Sequence, residues 1–303
     1  MIDEDRALGA FIGLAIGDAL GAPVEFFQRG RFAPLTDMRE GGKFKMRMGE
    51  WTDDTAMALC LAESLIEVNG FDPVDQMERY WRWGNEGHHS TRTHAFGMGK
   101  TVARALGQYK RTGEPYSGST DPRSAGNGSI MRLAPVVLYY LQNYDESIHF
   151  ARESSRTTHQ APEALECCVV LAHIISKAIS GIDKKSDLFS GLSIPEASDG
   201  IQSVIHRGYI QKDESEISGS GYVVESIEAA LWAFETTNSF ESAVLKAANL
   251  GDDADTTAAV CGQIAGAYYG YHAIPTKWLD VLCQRNKIES MARTLIRGPR
   301  NEL

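Results

Sequence analysis

Two short clusters of oxygen-bearing side chains stand about two hundred residues apart: Trp51-Thr52-Asp53-Asp54-Thr55 and Gly251-Asp252-Asp253-Ala254-Asp255-Thr256-Thr257. Each combines carboxylates with a hydroxyl and runs directly into apolar residues of helical spacing. These are Met57, Ala58, Leu59, Leu61 and Leu65 after the first, and Ala259, Val260, Ile264 and Ala265 after the second. Hard divalent cations take such oxygen ligands, so the clusters brought together would hold one or two Mg²⁺ or Mn²⁺ ions. Taken singly, each also fits a helix N-cap, where Thr or Asp accepts an orphan N–H and suits the helix dipole. A cap needs one carboxylate, however, and further anions beside it repel unless a cation neutralises them. Two clusters of the same chemistry therefore favour a metal centre, with Thr52, Asp53, Asp54, Asp253, Asp255 and Thr256 as ligands. The fold must then bring two helix starts face to face.

Other junctions carry chemistry of their own. Glu25 follows the first apolar segment, where a carboxylate can reach a site built at helix ends. Gly97-Met98-Gly99-Lys100-Thr101 resembles a phosphate loop, but the Gly required five residues before the second one is His94, and no strand precedes it. A nucleoside triphosphatase is thereby rejected, although a glycine turn entering a helix can still cradle a phosphate with backbone N–H groups. Gly126-Asn127-Gly128-Ser129 is a second such turn and by itself an ordinary Asn-Gly turn. His159 stands at a helix entry, and His88 and His89 read as loop residues. Ser218-Gly219-Ser220-Gly221-Tyr222 is a small-residue loop ending in an aromatic suited to stacking on a ring. HExxH and His-Asp motifs are absent, which weighs against the zinc peptidases and the His-Asp phosphohydrolases.

Apolar residues recur at helical spacing over 4–20, 54–68, 73–85, 98–110, 134–142, 145–155, 161–179, 222–236, 240–248, 256–270 and 286–296. Alternating strand-like runs are almost lacking, so the expected fold is all-α. With no linker in 303 residues, it is read as a single domain spanning 1–303, a compact orthogonal helical bundle. Gly13, Gly17 and Gly21 are spaced by four on the first helix, as close helix packing would require, with Asp18 beside Gly17. The five Cys show no CxxC spacing and are read as free thiols. A net charge of −10 excludes broad attraction to nucleic acid or anionic membrane, though not a local basic pocket. Arg29, Arg31, Lys43, Lys45 and Arg47 are read as a solvated loop face. No signal pattern is present, and no run comes near the roughly 20 apolar residues of a membrane span. A cytoplasmic, monomeric protein is the expectation.

Together, Gly9-Ala10-Phe11-Ile12-Gly13-Leu14-Ala15-Ile16-Gly17-Asp18-Ala19-Leu20-Gly21, Trp51-Thr52-Asp53-Asp54-Thr55, Gly126-Asn127-Gly128-Ser129-Ile130-Met131-Arg132 and Gly251-Asp252-Asp253-Ala254-Asp255-Thr256 resemble the ADP-ribosylglycohydrolase family. The resemblance covers nearly the whole chain and implies an all-α domain with a binuclear magnesium or manganese centre. It also implies ADP-ribose contacts from Gly97, Gly99 and Thr101 at the diphosphate and ribose, and from Asn127, Gly128, Ser129 and Met131 in a second loop. His159 would lie on the ribose side, and Gly221 with Tyr222 on the adenosine side. Asp252 falls where many relatives have Gly and is left out of the ligand set. Some nitrogen-fixation members carry a catalytic Asp where this chain has Gly97, so proton transfer is assigned to Glu25, with Asp54 and Asp255 next.

The implied reaction is hydrolysis of the C1″ N- or O-glycosidic bond of an ADP-ribosylated protein side chain, releasing ADP-ribose. A small-molecule or nucleic-acid ADP-ribose adduct is the alternative substrate, and a non-catalytic ADP-ribose-binding relative the alternative class. Whichever applies, the two acidic clusters must converge in the fold.

Overall fold

The computed structural model describes residues 3–299. Among the described residues the regular elements are helices: α1 Glu4–Gly21, α2 Asp53–Val68, α3 Pro73–Glu86, α4 Lys100–Thr112, α5 Ala134–Tyr139, α6 Tyr144–Arg156, α7 Pro162–Ile179, α8 Asp199–Ile205, α9 Val223–Glu235, α10 Phe240–Ala248, α11 Ala254–Tyr269, α12 Thr276–Val281 and α13 Arg285–Ile296. Extended pairing is confined to isolated bridges at Gln28–Gly251, Gly41–Met46, Ser119–His159 and Gly126–Tyr222. The all-α expectation holds. Unexpected were α8 and α12, whose 7 and 6 residues are too short to show helical periodicity.

The centre of the fold is an antiparallel pair, α1 against α11. Both are apolar on all faces and buried along nearly their whole length, as central helices must be. Their contact is a ladder of small residues. A methyl group added at Gly9, Gly13, Gly17 or Gly21 would come within 2.3, 2.1, 2.1 or 2.3 Å of the carbonyl oxygen of Gly266, Gly262, Ala258 or Ala254 respectively. No side chain fits between these backbones, so spacing by four on both helices sets how closely they approach. By length and mean hydropathy (1.6), Glu4–Val24 would suffice to cross a membrane, contrary to the expectation that no run comes near this. From Ala7 onward it is buried instead, which is the condition of a core helix.

Helices α7, α9 and α10 pack around α11, while α13 and α2 pack against α1. The ladder runs to the last turn of α1, so the C-terminal end of α1 lies beside the first turn of α11. That end is where the chemistry gathers. Introducing Gly13→Val should cost about 3 kcal/mol or more, because the clash is with backbone that cannot rotate away. Gly107→Ala on α4 is the control: its added methyl meets nothing within 4 Å. It should be neutral or stabilising by up to about 1 kcal/mol. Urea denaturation midpoints of the two variants check the contrast.

Candidate active site

The two acidic clusters meet. Thr52 precedes α2 and Asp253 precedes α11, yet neither side chain caps its own helix. They face each other instead. Thr52 Oγ1 lies 3.3 Å from Asp255 Oδ2, and Thr256 Oγ1 lies 3.4 Å from Asp54 Oδ1. Two helix N-termini thus converge on one spot, and their dipoles favour anions there.

The capping of α2 is performed from outside, by a residue to which the sequence reading gave no role. Asp18 Oδ1 accepts from Thr52 N–H at 2.8 Å and Thr52 Oγ1 at 2.9 Å, while Oδ2 accepts from Thr55 N–H at 3.0 Å and Thr55 Oγ1 at 2.6 Å. Those bonds fix the register of Thr52-Asp53-Asp54-Thr55 on α1. An Asp fully buried in an apolar helix was the available signal.

Glu25 arrives by a strained route. Phe26 and Asp252 both hold left-handed backbone, at φ 67° and 54°, conformations that cost non-glycine residues of order 1 kcal/mol or more. Reciprocal bonds lock them: Phe26 N–H to Asp252 O at 2.7 Å and Asp252 N–H to Phe27 O at 2.8 Å. The clamp brings carboxylate oxygens of Glu25, Asp253 and Asp255 within 4.8 Å of one another.

So many acids in one place cannot all ionise unaided. Burial raises Glu25 to about 9, with the neighbouring Asp53 and Asp253 adding to the effect. Burial and then Asp18 raise Asp53 to about 7, and burial raises Asp18 to about 6. Asp54, Asp253 and Asp255 are raised too, each chiefly by burial. Glu25 Oε2 and Asp54 Oδ2 are buried without any hydrogen-bond partner. An all-oxygen donor set with orphaned carboxylate oxygens and mutual repulsion fits a hard divalent cation. A second group, Glu63 with His88 and His89, lies elsewhere and is a different object. There Glu63 already meets His89 at 3.2 Å, accepts from His88 at 2.7 Å and pairs with Arg79, and despite burial these partners hold it well below the usual carboxylate range.

The carboxylates line one part of a cleft of about 940 Å³, whose wall includes Glu25, Asp53, Asp253, Asp255 and Thr256. Thr52 and Asp54 lie buried behind them. Gly97, Gly99, Thr101, Asn127, Gly128, Met131, His159 and Gly221 also line this cleft. Two residues assigned to it do not. Ser129 is buried behind the wall against Cys168 Sγ at 3.4 Å, and Tyr222 faces an adjoining recess, its hydroxyl bonded to Glu163 at 2.6 Å. Asp252, left out of the ligand set, stands on the cleft wall, and so does Lys43 from the stretch read as solvated.

The loops are held by bonds no motif announced. Asn127 Nδ2 donates to Asp253 Oδ2 at 2.6 Å, and the loop is zipped to its neighbour by Asn127 N–H to Gly221 O at 3.1 Å and Val223 N–H to Ala125 O at 3.0 Å. Buried Arg132 donates to Gly128 O at 2.8 Å and to Thr158 Oγ1 at 2.7 Å. The Thr158 hydroxyl is then left to donate to His159 Nδ1 at 2.8 Å, which places the imidazole proton on Nε2. Burial, and secondarily Arg132, lowers His159 to about 3, so it is a neutral donor at the cleft wall. Gly97 explains its own identity: at φ 85° a side chain there would begin 2.2 Å from Asp53 Oδ1. An acid at 97 and this placement of Asp53 exclude each other.

The chain is similar to known proteins in sequence and in fold. The sequence model of the ADP-ribosylglycohydrolase family matches residues 1–302. The ADP-ribosylarginine hydrolase Tri1 of Serratia proteamaculans is 42% identical over 292 residues, covering 96% of this chain and 79% of that protein. The ADP-ribosyl-[dinitrogen reductase] glycohydrolase of Rhodospirillum rubrum is 33% identical over 286 residues, covering 92% and 90%. A solved structure described as an ADP-ribosylglycohydrolase-related protein complex superposes with a TM-score of 0.86 at 44% identity, covering 98% of this chain and 99% of that one.

The charge cluster makes stability depend on pH and cation together. Acids raised above their unfolded values bind more protons in the folded state, so stability falls as pH rises from the unfolded values through the folded ones. With Asp53 near 7 and Glu25 near 9, the EDTA-treated protein should melt at progressively lower temperature from about pH 6.5 to 8.5. Adding Mg²⁺ or Mn²⁺ should raise the melting temperature, and more so at the higher pH, because ligands bind cations in their deprotonated form. Calorimetry showing a flat, cation-independent profile would contradict the assignment.

Proposed function

Because the chain belongs to the ADP-ribosylglycohydrolase family, we propose that it hydrolyses the C1″ N-glycosidic bond joining ADP-ribose to arginine side chains of modified proteins. The observation that carries this reading is the convergence of two helix-borne acid clusters and Glu25 at the wall of one cleft. Similarity to two hydrolases named for ADP-ribosylated protein substrates supports it. Thr52, Asp53, Asp54, Asp253, Asp255 and Thr256 would hold two divalent cations, Mg²⁺ or Mn²⁺. Such ions, when bound, polarise substrate oxygens and lower the pKa of water.

The protein's own groups do the rest. The first turn of α4 begins at Gly99 and opens on the cleft, where its unpaired N–H groups and Lys100 suit a diphosphate. Neutral His159 offers its Nε2–H beside Gly126 and Gly128, suited to a ribose oxygen. Asn127 is oriented by Asp253 and frames the same wall. In the reaction, a water oxygen bonds to C1″ as the bond to the guanidino nitrogen breaks. In this reading Glu25 passes a proton between that water and the departing nitrogen, giving ADP-ribose and arginine. Its Oε2, buried and without a partner, is free for that exchange.

Glu25→Gln should lower turnover of an ADP-ribosylarginine peptide by about 10²–10⁴ while retaining cation binding, the usual range for general acid–base help. Asp255→Asn should abolish turnover at limiting metal with an unchanged circular dichroism spectrum. Chromatographic assay of released ADP-ribose measures both; near-native rates would remove these residues from their roles. Gly128→Val, whose side chain would begin 2.7 Å from the His159 ring, should weaken ADP-ribose binding in calorimetry.

A further inference from the structure

Two side recesses open off the cleft and share no residue with each other. One meets it at Thr101, Gly126 and Gly221 and includes Tyr222. It lies beyond the loops suited to the nucleotide. The other has a volume of about 550 Å³ and meets the cleft at Phe44, the neighbour of Lys43 on the wall that also bears Glu25 and Phe26. Its lining is Phe44, Lys45, Arg47, Thr91, Arg92 and Thr93, with Glu50 beneath.

This second recess is cationic in a chain whose net charge is −10. Its single carboxylate is already engaged: buried Glu50 accepts from Arg92 Nη2 at 2.9 Å and from Arg47 N–H at 2.9 Å. The side chains of Lys45 and Arg47 are exposed, and among the described residues neither forms an ion pair. Thr91 and Thr93 add hydroxyls. The backbone that carries Lys45 and Arg47 is also held in place before anything binds. Lys43-Phe44-Lys45 tops a tight turn closed by Gly41 N–H to Met46 O at 2.9 Å, Met46 N–H to Gly41 O at 2.7 Å and Lys45 N–H to Gly42 O at 3.1 Å. Arg92 braces that turn, donating to Phe44 O at 2.9 Å while its guanidinium lies 4.3 Å from the Phe96 ring centroid. Phe96 in turn packs against Phe44 at 5.5 Å. A brace of this kind cuts the ordering cost of binding.

We propose that the recess of Lys45, Arg47, Thr91 and Thr93 docks acidic residues flanking the modified arginine of a protein substrate, selecting arginines in acidic surroundings. The proposal rests on the reading of the cleft as the site that releases ADP-ribose from arginine. With the nucleotide directed toward Gly126 and Gly221, the polypeptide bearing the leaving nitrogen must exit past Glu25, Phe26 and Phe44, and so beside this recess. A few carboxylates match its size and charge. A long polyanion such as a nucleic acid would instead meet the field of the whole acidic protein.

The test compares ADP-ribosylarginine peptides whose flanking residues are Glu, Ser or Lys, alongside free ADP-ribosylarginine. Two exposed ion pairs should give the Glu peptide an advantage of about 3–30-fold in kcat/KM over the Ser peptide, carried by KM and lost in about 0.5 M salt. The Lys peptide should be slowest. The double variant Lys45→Glu, Arg47→Glu should reverse the order while leaving turnover of free ADP-ribosylarginine unchanged. Equal kcat/KM for the three peptides, or a preference that survives the double variant, would overturn the proposal. Failure of the wild-type protein to turn over free ADP-ribosylarginine would instead refute the activity itself. In that event fluorescence anisotropy with a labelled, unmodified Glu-rich peptide still decides the docking: salt-sensitive binding lost in the double variant supports it. Absence of binding, or binding only by an oligonucleotide of equal charge, refutes it.

Discussion

The contact on which the structure depends is the backbone-to-backbone seam between α1 and α11. Side chains normally keep helices 8–10 Å apart. Here Gly9, Gly13, Gly17 and Gly21 face Gly266, Gly262, Ala258 and Ala254 with no room for a methyl group between them. Because the seam continues to the end of α1, the start of α11 is pinned against it. Asp253 and Asp255 therefore stand beside Asp18 and Glu25, although more than two hundred residues separate them in the chain. Asp18 then carries the precision onward to α2 through its bonds to Thr52 and Thr55. Three helices are tied at one end, and the second acid cluster is delivered to the first.

That arrangement runs against stability. Carboxylates are gathered in a buried place, and the Arg132 charge offsets burial and the neighbouring acids at Asp53 only in part. The fold tolerates this because the surrounding helices supply a large apolar core, and because protons or divalent cations can neutralise the cluster. Strained backbone at Phe26 and Asp252 belongs to the same economy: local conformations of low intrinsic stability are held by reciprocal bonds so that Glu25 and Asp253 meet. Pinned helix ends hold the carboxylates, and loops zipped to one another frame the rest of the cleft. Rigid support on all sides is what a site needs to align a water, a sugar carbon and a leaving group.

The cleft is also divided by charge. Acidic groups crowd the reaction centre, while its rim carries Lys43, Lys45, Arg47 and Arg92 around the Phe26, Phe44 and Phe96 rings. In a protein of net charge −10 such a rim is a local reversal of sign. Read as sequence, this basic stretch was a solvated loop. Its role as a wall comes from the Gly41–Met46 turn folding back and from Arg92 bracing it, neither of which has a local pattern.

The sequence by itself determined the helical fold, the two acidic helix starts, the place of Glu25 just after the first helix and the glycine spacing of α1. These are local properties: periodicity, residue chemistry and a repeat of four are written along the chain. It also carried a family resemblance specific enough to name most of the cleft. Tertiary structure alone decided the rest. Asp18 looked like an isolated acid in an apolar helix until its partners on α2 were in place. Arg132 and the tautomer of His159 emerge from a chain of bonds through Thr158. Ser129 and Tyr222 fell off the cleft wall because a motif fixes backbone path, not the direction each side chain faces. The exclusion of an acid at Gly97 depends on where Asp53 sits, across a gap of about 2 Å. Such facts belong to distances between remote segments, and no pattern within a segment encodes them.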